Sequence, residues 1–239
     1  MIVNRHHPNS QRYVRYILTR DASHGKVEAI IESGATFFVS AVGVPPKKAV
    51  DRLHEAGIPV MNMIGHPKHV KYALAAGVDI ICCQGTEAGG HTGDIASSVL
   101  IPACVDACRG RISSFTGREV PVVAAGGIYD GRGLAAALCY GAAGVWVGTR
   151  FVAAQESGAP PSHKDNLVKC GFDKTIRTTI FSGRPMRVMK TPYINEWETE
   201  RVVESADLRA RGIIPMKKDL KSGRGGVCRR LPSPRSARD

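Results

Sequence analysis

The sequence predicts an α/β fold built on a parallel sheet, and three observations carry that expectation. Short apolar runs rich in β-branched residues alternate with helical stretches of roughly ten residues. The helical stretches stop at glycine, the residue that most easily takes the left-handed turn ending a helix. The junctions Ala-Gly-Ile-Pro-Val (56–60) and Ala-Gly-Val-Asp-Ile (76–80) repeat the same helix–turn–strand join. Repetition of that join is what stacked βα units produce.

The elements follow in order. Residues 27–33 read as a helix ending at Gly34, and TFFVSAV (36–42) as a buried strand. Pro45 and Pro46 open a helix over 47–56, closed by Gly57, and IPVMNMI (58–64) is the next strand. A helix over 67–76 stops at Gly77 before the strand VDIICC (78–83). After QGTEAGGHTG (84–93), residues 95–109 form a longer helix and 110–119 a polar connector. The strand VPVVAA (120–125) runs into Gly126-Gly127, Asp130 caps a helix over 131–140, and GVWV (144–147) runs into Gly148-Thr149. Residues 150–200 read as helix and loop. Residues 1–26 read as an irregular basic segment, 27–208 as the folded domain and 209–239 as a disordered basic tail.

The formal charge of +12 suggests an anionic partner. Its distribution argues otherwise: 209–239 hold ten Lys/Arg against two Asp, and 1–26 hold five against one. The centre is near neutral, so no nucleic-acid function is expected. The seven cysteines show no paired CxxC spacing, so neither a disulfide framework nor a metal site is expected. Cys82 and Cys83 read as inert core thiols. No apolar run is long enough for a membrane span and no secretory signal is seen, so the expected location is cytoplasmic. His66 and His69 lack an acidic partner and read as solvated.

Two glycine turns follow consecutive strands. A glycine backbone can approach a phosphate closely and reach positive φ, so its N–H groups can cradle the anion. Barrels commonly bind phosphate with the loops after their last two strands. Gly126, Gly127, Gly148 and Thr149 are therefore candidate phosphate ligands, and they favour a barrel over a doubly wound sheet. The loop 84–93 follows a strand and so belongs at the C-terminal mouth. Gly89 and Gly90 let the backbone pass flat against a planar ring, and Gln84 offers both a donor and an acceptor to a ring edge. His91 suits a general base. Glu87 either orients His91 or pairs elsewhere. Trp146 is barrel core or lies near the bound ring.

QGTEAGGHTG, VPVVAAGGI (120–128), GAAGVWVGTRF (141–151) and FSGRP (181–185) together resemble the nitronate monooxygenase family, once called 2-nitropropane dioxygenases. The resemblance runs from about residue 27 to about 215, with NMIGHPKH (62–69) closest to the fungal branch. It implies a TIM (β/α)8-type barrel that binds FMN. It implies oxidation of alkyl nitronates, of the propionate 3-nitronate type, by O2 to a carbonyl compound and nitrite. His91 matches the family's catalytic His, which takes the α-proton of neutral nitroalkanes. Gln84 and Gly89 match positions near the flavin ring, and Gly126, Gly127, Gly148 and Thr149 match the FMN phosphate site.

The family's early Pro-Met turn and Asn contact have no counterpart in residues 1–35, and KSGRGGVCRRLPSPRSARD replaces its closing helices. The expectation is therefore an incomplete barrel, truncated at both ends, with about five of eight βα units. Such a piece exposes sheet edges and an apolar inner face, so self-association is expected. The alternative functions are a flavin-dependent enoyl-thioester reductase and a non-catalytic remnant of the barrel.

Overall fold

A computed structural model describes residues 13–16, 24–41 and 43–223. In chain order these form β1 (Tyr13–Tyr16), α1 (His24–Glu32), β2 (Phe37–Ser40), α2 (Lys47–Glu55), β3 (Val60–Ile64), α3 (Lys68–Ala75) and β4 (Ile80–Gln84). Next come β5 (Gly90–His91), α4 (Ser97–Cys108), β6 (Val122–Ala125), α5 (Gly131–Cys139), β7 (Gly144–Trp146), α6 (Thr149–Val152) and α7 (Pro161–Lys169). The described chain closes with β8 (Thr175–Thr178), β9 (Met186–Met189), α8 (Pro192–Thr199), α9 (Val202–Ala210) and α10 (Pro215–Lys221). None of these helices is long and apolar enough to cross a membrane.

The described residues fall into two compact units. The first runs to Ala88 and resumes from Gly93 to Val147; the second takes Gly89–Thr92 and the chain from Gly148.

In the first unit six strands make one parallel sheet in the order β1-β2-β3-β4-β6-β7. The sheet is open: β1 and β7 have no further strand beside them among the described residues. This is the parallel sheet that the repeated join predicts, and its open edges fit the expected incomplete α/β barrel. The join has a physical explanation. At the end of α2, Gly57 N–H donates to His54 O at 2.8 Å and Ile58 N–H to Leu53 O at 2.9 Å. The same paired bonds recur at Gly77 with Val78 and at Gly141 with Ala142. Each glycine sits at φ between 74° and 90°, the left-handed conformation that this helix ending requires.

Strand alternation sorts the sheet's side chains between two faces. One face holds Phe38, Val60, Ile81, Val122 and Ala124, packed with Val50, Leu53, Val70, Leu100 and Ala137 of the helices. The other face holds Val39, Met61, Met63, Cys82 and Ala125, with Trp146 packed against them. This second face was expected to be exposed. Its residues are instead buried, Val39 and Met61 to within 2% of full burial.

The second unit holds a three-stranded antiparallel sheet, β5-β9-β8. The sequence predicts only helix and loop over 150–200, and these strands correct that expectation. TIRT and MRVM mix polar with apolar residues and never form the apolar run that marks the parallel strands. A core of Ile180, Tyr193, Ile194, Trp197 and Leu208 packs in this unit.

Both expected ends are also corrected. The segment 1–26 is not wholly irregular: β1 pairs with β2 from Tyr13↔Phe37 to Tyr16↔Ser40, and α1 begins at His24. The segment 209–239 is not wholly a tail, because α10 is folded and its Asp219 is buried. Asp219 accepts hydrogen bonds from Tyr193 Oη, Trp197 Nε1 and the Arg201 guanidinium, all at 3.0–3.1 Å. Counting charge over 209–239 alone overlooked the carboxylates just upstream, where Arg211 meets Asp207 and Lys218 meets Glu204. The rest of the expected tail, beyond Gly223, lies outside the described residues.

A candidate flavin-type active site

In the first unit, β4 delivers Gln84 to the C-terminal end of the sheet, in register with Ala125, which is in turn in register with Trp146. Gln84 follows Ile80 and Cys82 in alternation, so it lies on the face that carries Trp146. The Gly126-Gly127 turn sits beside it. Both glycines are left-handed, with φ of 97° and 72°. A Cβ on Gly126 would lie 3.0 Å from Gly85 O, and one on Gly127 would lie 3.1 Å from Glu87 Cβ. The turn is therefore a bare backbone surface laid on the start of the loop 84–93.

Glu87 holds this arrangement. Its carboxylate accepts from Ser97 N–H at 3.1 Å and from Ser97 Oγ at 2.9 Å, at the first turn of α4. Ser97 Oγ also lies 3.1 Å from Gly126 O. Glu87 thus caps α4 beside the glycine turn, which settles the role left open by the sequence. Its partner lies ten residues downstream, beyond any local spacing rule.

In the second unit, β5 pairs antiparallel with β9, His91 opposite Met186. Thr92 N–H donates to Pro185 O at 3.2 Å. The His91 imidazole is half-buried, with Nε2 2.8 Å from Ser182 Oγ. Ser182 belongs to FSGRP, whose only signal in the sequence is the family resemblance. Ninety-one residues separate the two, and nothing local in the sequence signals the contact. Gly89 is closed in by Thr149: a Cβ there would lie 2.6 Å from Thr149 Oγ1. Gly148 differs from the Gly126-Gly127 pair. Its φ is −107°, and a Cβ would meet nothing within 4 Å. Glycine is not forced there by backbone strain, and its surroundings are open.

Two other constellations have different uses. Asp79 is buried and accepts from Val60 N–H at 2.7 Å and Ser113 Oγ at 2.6 Å, with His54 Nε2 at 2.8 Å. The Ser113 hydroxyl bonds the carboxylate and not the imidazole, and Phe115 stacks on the His54 ring at 4.3 Å. This trio pins α2 and the connector after α4 at the strands' N-terminal ends, where barrel residues serve stability. His66 Nδ1 accepts from Lys68 N–H, and burial, followed by the charges of His66 and Lys68, lowers the His69 pKa. No group of three metal-binding side chains occurs among the described residues.

Comparison with known proteins agrees with this reading of the fold. A family model described as nitronate monooxygenase matches residues 5–225. A Mycobacterium tuberculosis protein described as (3aS,4S,5R,7aS)-5-hydroxy-7a-methyl-1-oxo-octahydro-1H-indene-4-carboxyl-CoA dehydrogenase is 43% identical over 174 residues, 73% of this chain and 47% of the relative. FabK from Thermotoga maritima aligns with TM-score 0.69 and 32% identity, covering 85% of this chain and 65% of that one. Nitroalkane oxidase from Streptomyces ansochromogenes aligns with TM-score 0.64 and 32% identity, covering 72% and 50%. The chain spans about half the length of the curated relatives it matches. With nearly its whole length matched by the family model and its loops built as described, the chain belongs to the nitronate monooxygenase family.

Proposed function

We propose that the chain carries the machinery of an FMN-dependent nitronate monooxygenase, with His91 as general base towards neutral nitroalkanes. The observation that supports this best is the loop after β4. It rests on a left-handed glycine turn at one end and carries a braced imidazole at the other.

The residues present suit FMN. Gly126 and Gly127 expose backbone where side chains are excluded, and a Cβ on Gly148 would meet nothing within 4 Å. These four are the phosphate contacts in this reading. Gln84 and Gly89 are the contacts to the flavin ring. A planar ring needs a flat backbone and one polar edge partner, which glycine and a carboxamide supply. When bound, FMN supplies the redox chemistry by which O2 oxidises the nitronate to a carbonyl compound and nitrite. The protein's own step is proton removal. The lone-pair nitrogen of His91 takes the α-proton of a neutral nitroalkane, and the electron pair of the broken C–H bond moves into the nitro group. A preformed nitronate skips that step.

A second reading is favoured by the 43% identity to a protein named for a CoA-linked substrate. In it the same framework acts on a thioester, as an enoyl-thioester reductase would. Self-association through the open edges β1 and β7 belongs to either reading, and light scattering on the purified chain measures it.

The deciding experiment is a visible spectrum with added FMN, followed by nitrite assay. The proposed reading expects a yellow complex, nitrite from nitronates and nitroalkanes, and selective loss of nitroalkane turnover in His91→Asn. NAD(P)H oxidation without nitrite supports the thioester reading. A chain that takes up no FMN refutes both and leaves a non-catalytic remnant.

A further inference from the structure

We propose that Ser40 and Asn62 form a binding site for one buried water molecule, which accepts from the Ser40 hydroxyl and donates to Asn62 Oδ1.

The two residues are neighbours by register: Ser40 stands beside Asn62 in the parallel pairing of β2 with β3. Alternation puts both on the helix-facing side of the sheet, with Phe38, Val60 and Ile64. Across β4 the register neighbour of Asn62 is Ile81, which is also apolar. Ser40 and Asn62 are both buried, at 1% and 0% exposure. Yet Ser40 Oγ and Asn62 Oδ1 have no hydrogen-bond partner among the described residues.

Turning the carboxamide over does not supply one. Asn62 Nδ2 donates to Ser40 O at 3.2 Å and to Gly43 O at 2.8 Å, so both of its protons are used. A flipped amide would set Oδ1 against two carbonyl oxygens and break both bonds. Oδ1 is therefore fixed as an acceptor, and the serine hydroxyl beside it has a proton to give.

A buried polar group with no partner lowers the folding equilibrium constant about tenfold, and one bridging water relieves two such groups together. Water suits both sides: it takes the serine proton on a lone pair and gives a proton of its own to Oδ1. An anion does not suit an amide oxygen. A cation does not suit the place either, because the Nδ2 protons already occupy the two carbonyls that would complete its shell.

The site lies where the chain leaves β2. Gly43 belongs to the connection from β2 to α2, at the C-terminal end of the sheet, the end to which β4 delivers Gln84. Asn62 ties that connection to β3 through Gly43 O, and the water completes the polar joint. Its effect is on the seating of the connection and not on any reacting group.

Two measurements on the full chain test this. A crystal structure that resolves ordered solvent is expected to show one water oxygen about 2.7–3.2 Å from both Ser40 Oγ and Asn62 Oδ1. A direct bond between the two side chains, a dry gap, or a peak with the shorter contacts of a metal ion overturns the proposal. In solution, Ser40→Ala is expected to lower the folding equilibrium constant about tenfold, since the water and Oδ1 lose a partner. Asn62→Leu is expected to cost more, because the bonds to Ser40 O and Gly43 O go as well. Adding Ser40→Ala to Asn62→Leu is then expected to cost less than about threefold, the shared water having already left. Losses that multiply independently overturn the proposal. The crystal measurement on the parent chain decides the matter even where an Asn62 variant does not fold.

Discussion

Gly65 and Gly93 lie backbone against backbone: a Cβ on Gly65 would sit 2.7 Å from the Gly93 Cα. The last glycine of QGTEAGGHTG is therefore a packing residue, matched to a glycine in the loop after β3. Alanine at either position forces the two loops apart. Gly65→Ala and Gly93→Ala should each cost about 1–3 kcal/mol, the usual scale of overpacking. Gly25→Ala, where a Cβ meets nothing within 4 Å, is the control and should leave stability unchanged or raised. Thermal unfolding of the three variants checks this.

Gly127→Ala places an L-residue at φ of 72° with its Cβ 3.1 Å from Glu87 Cβ. The strain alone is about 1–2 kcal/mol. The turn should shift to relieve it, so under the proposed function FMN affinity should fall by more than stability does. Flavin fluorescence titration set beside a melting curve separates the two effects. Equal losses in both would show that the turn matters only to folding.

Glu87→Ala should fray the start of α4, at a cost of about 1 kcal/mol, typical of a lost cap. Amide hydrogen exchange at Ser97 and Ser98 should accelerate, while exchange at the far end of α4 stays the same. Glu87→Gln keeps one acceptor and should fall between the two.

The thiols should divide sharply by reactivity. Cys83, Cys104 and Cys108 are buried on the helix-facing side of the sheet. Burial, then the neighbouring Cys104 and Glu119, pushes the Cys108 thiol up to about 12. The Cys104 thiol is raised by its contact with Cys83 and by burial. Cys139 is exposed. Thiolates are the reactive form, so among the described thiols a disulfide reagent near neutral pH should label Cys139 before Cys82, Cys83, Cys104 and Cys108, which wait until the chain unfolds. Mass spectrometry of the labelled peptides gives the order.

Acid should loosen the second unit through Glu204. Hydrogen bonds from Arg201 and then Lys218 hold this carboxyl down to about 2. Its folded pKa is below its ordinary value, so the stability it adds is present above about pH 4.5 and is lost as pH falls towards about 2. The Arg201 guanidinium lies 3.4 Å from the centroid of the Trp197 ring, so tryptophan fluorescence should report the change. In a Trp146→Phe background, Glu204→Gln should flatten that acid limb. An unchanged limb would place the titration on another group.

What the sequence made legible follows from what periodicity can encode. The five strands expected from apolar runs all lie in the parallel sheet, because strands covered on both faces must be apolar along their length. β8 and β9 escaped notice because strands of half-buried residues carry charges, as Arg177 and Arg187 do. Gly126 and Gly127 have positive φ, which a glycine pair after a strand foreshadows, whereas Gly148 does not. Glu87 and Ser182 were beyond reach because each takes its role from a partner distant in the chain.

The strand that carries His91 is only two residues long, yet it is paired. Paired strands present successive side chains to opposite faces, so inserting or deleting one residue between Ala88 and His91 would move the imidazole to the other side of its sheet. The loop's length is therefore a chemical specification in its own right. A variant with every residue type of QGTEAGGHTG intact and one glycine too many would keep the loop's composition and turn its imidazole away.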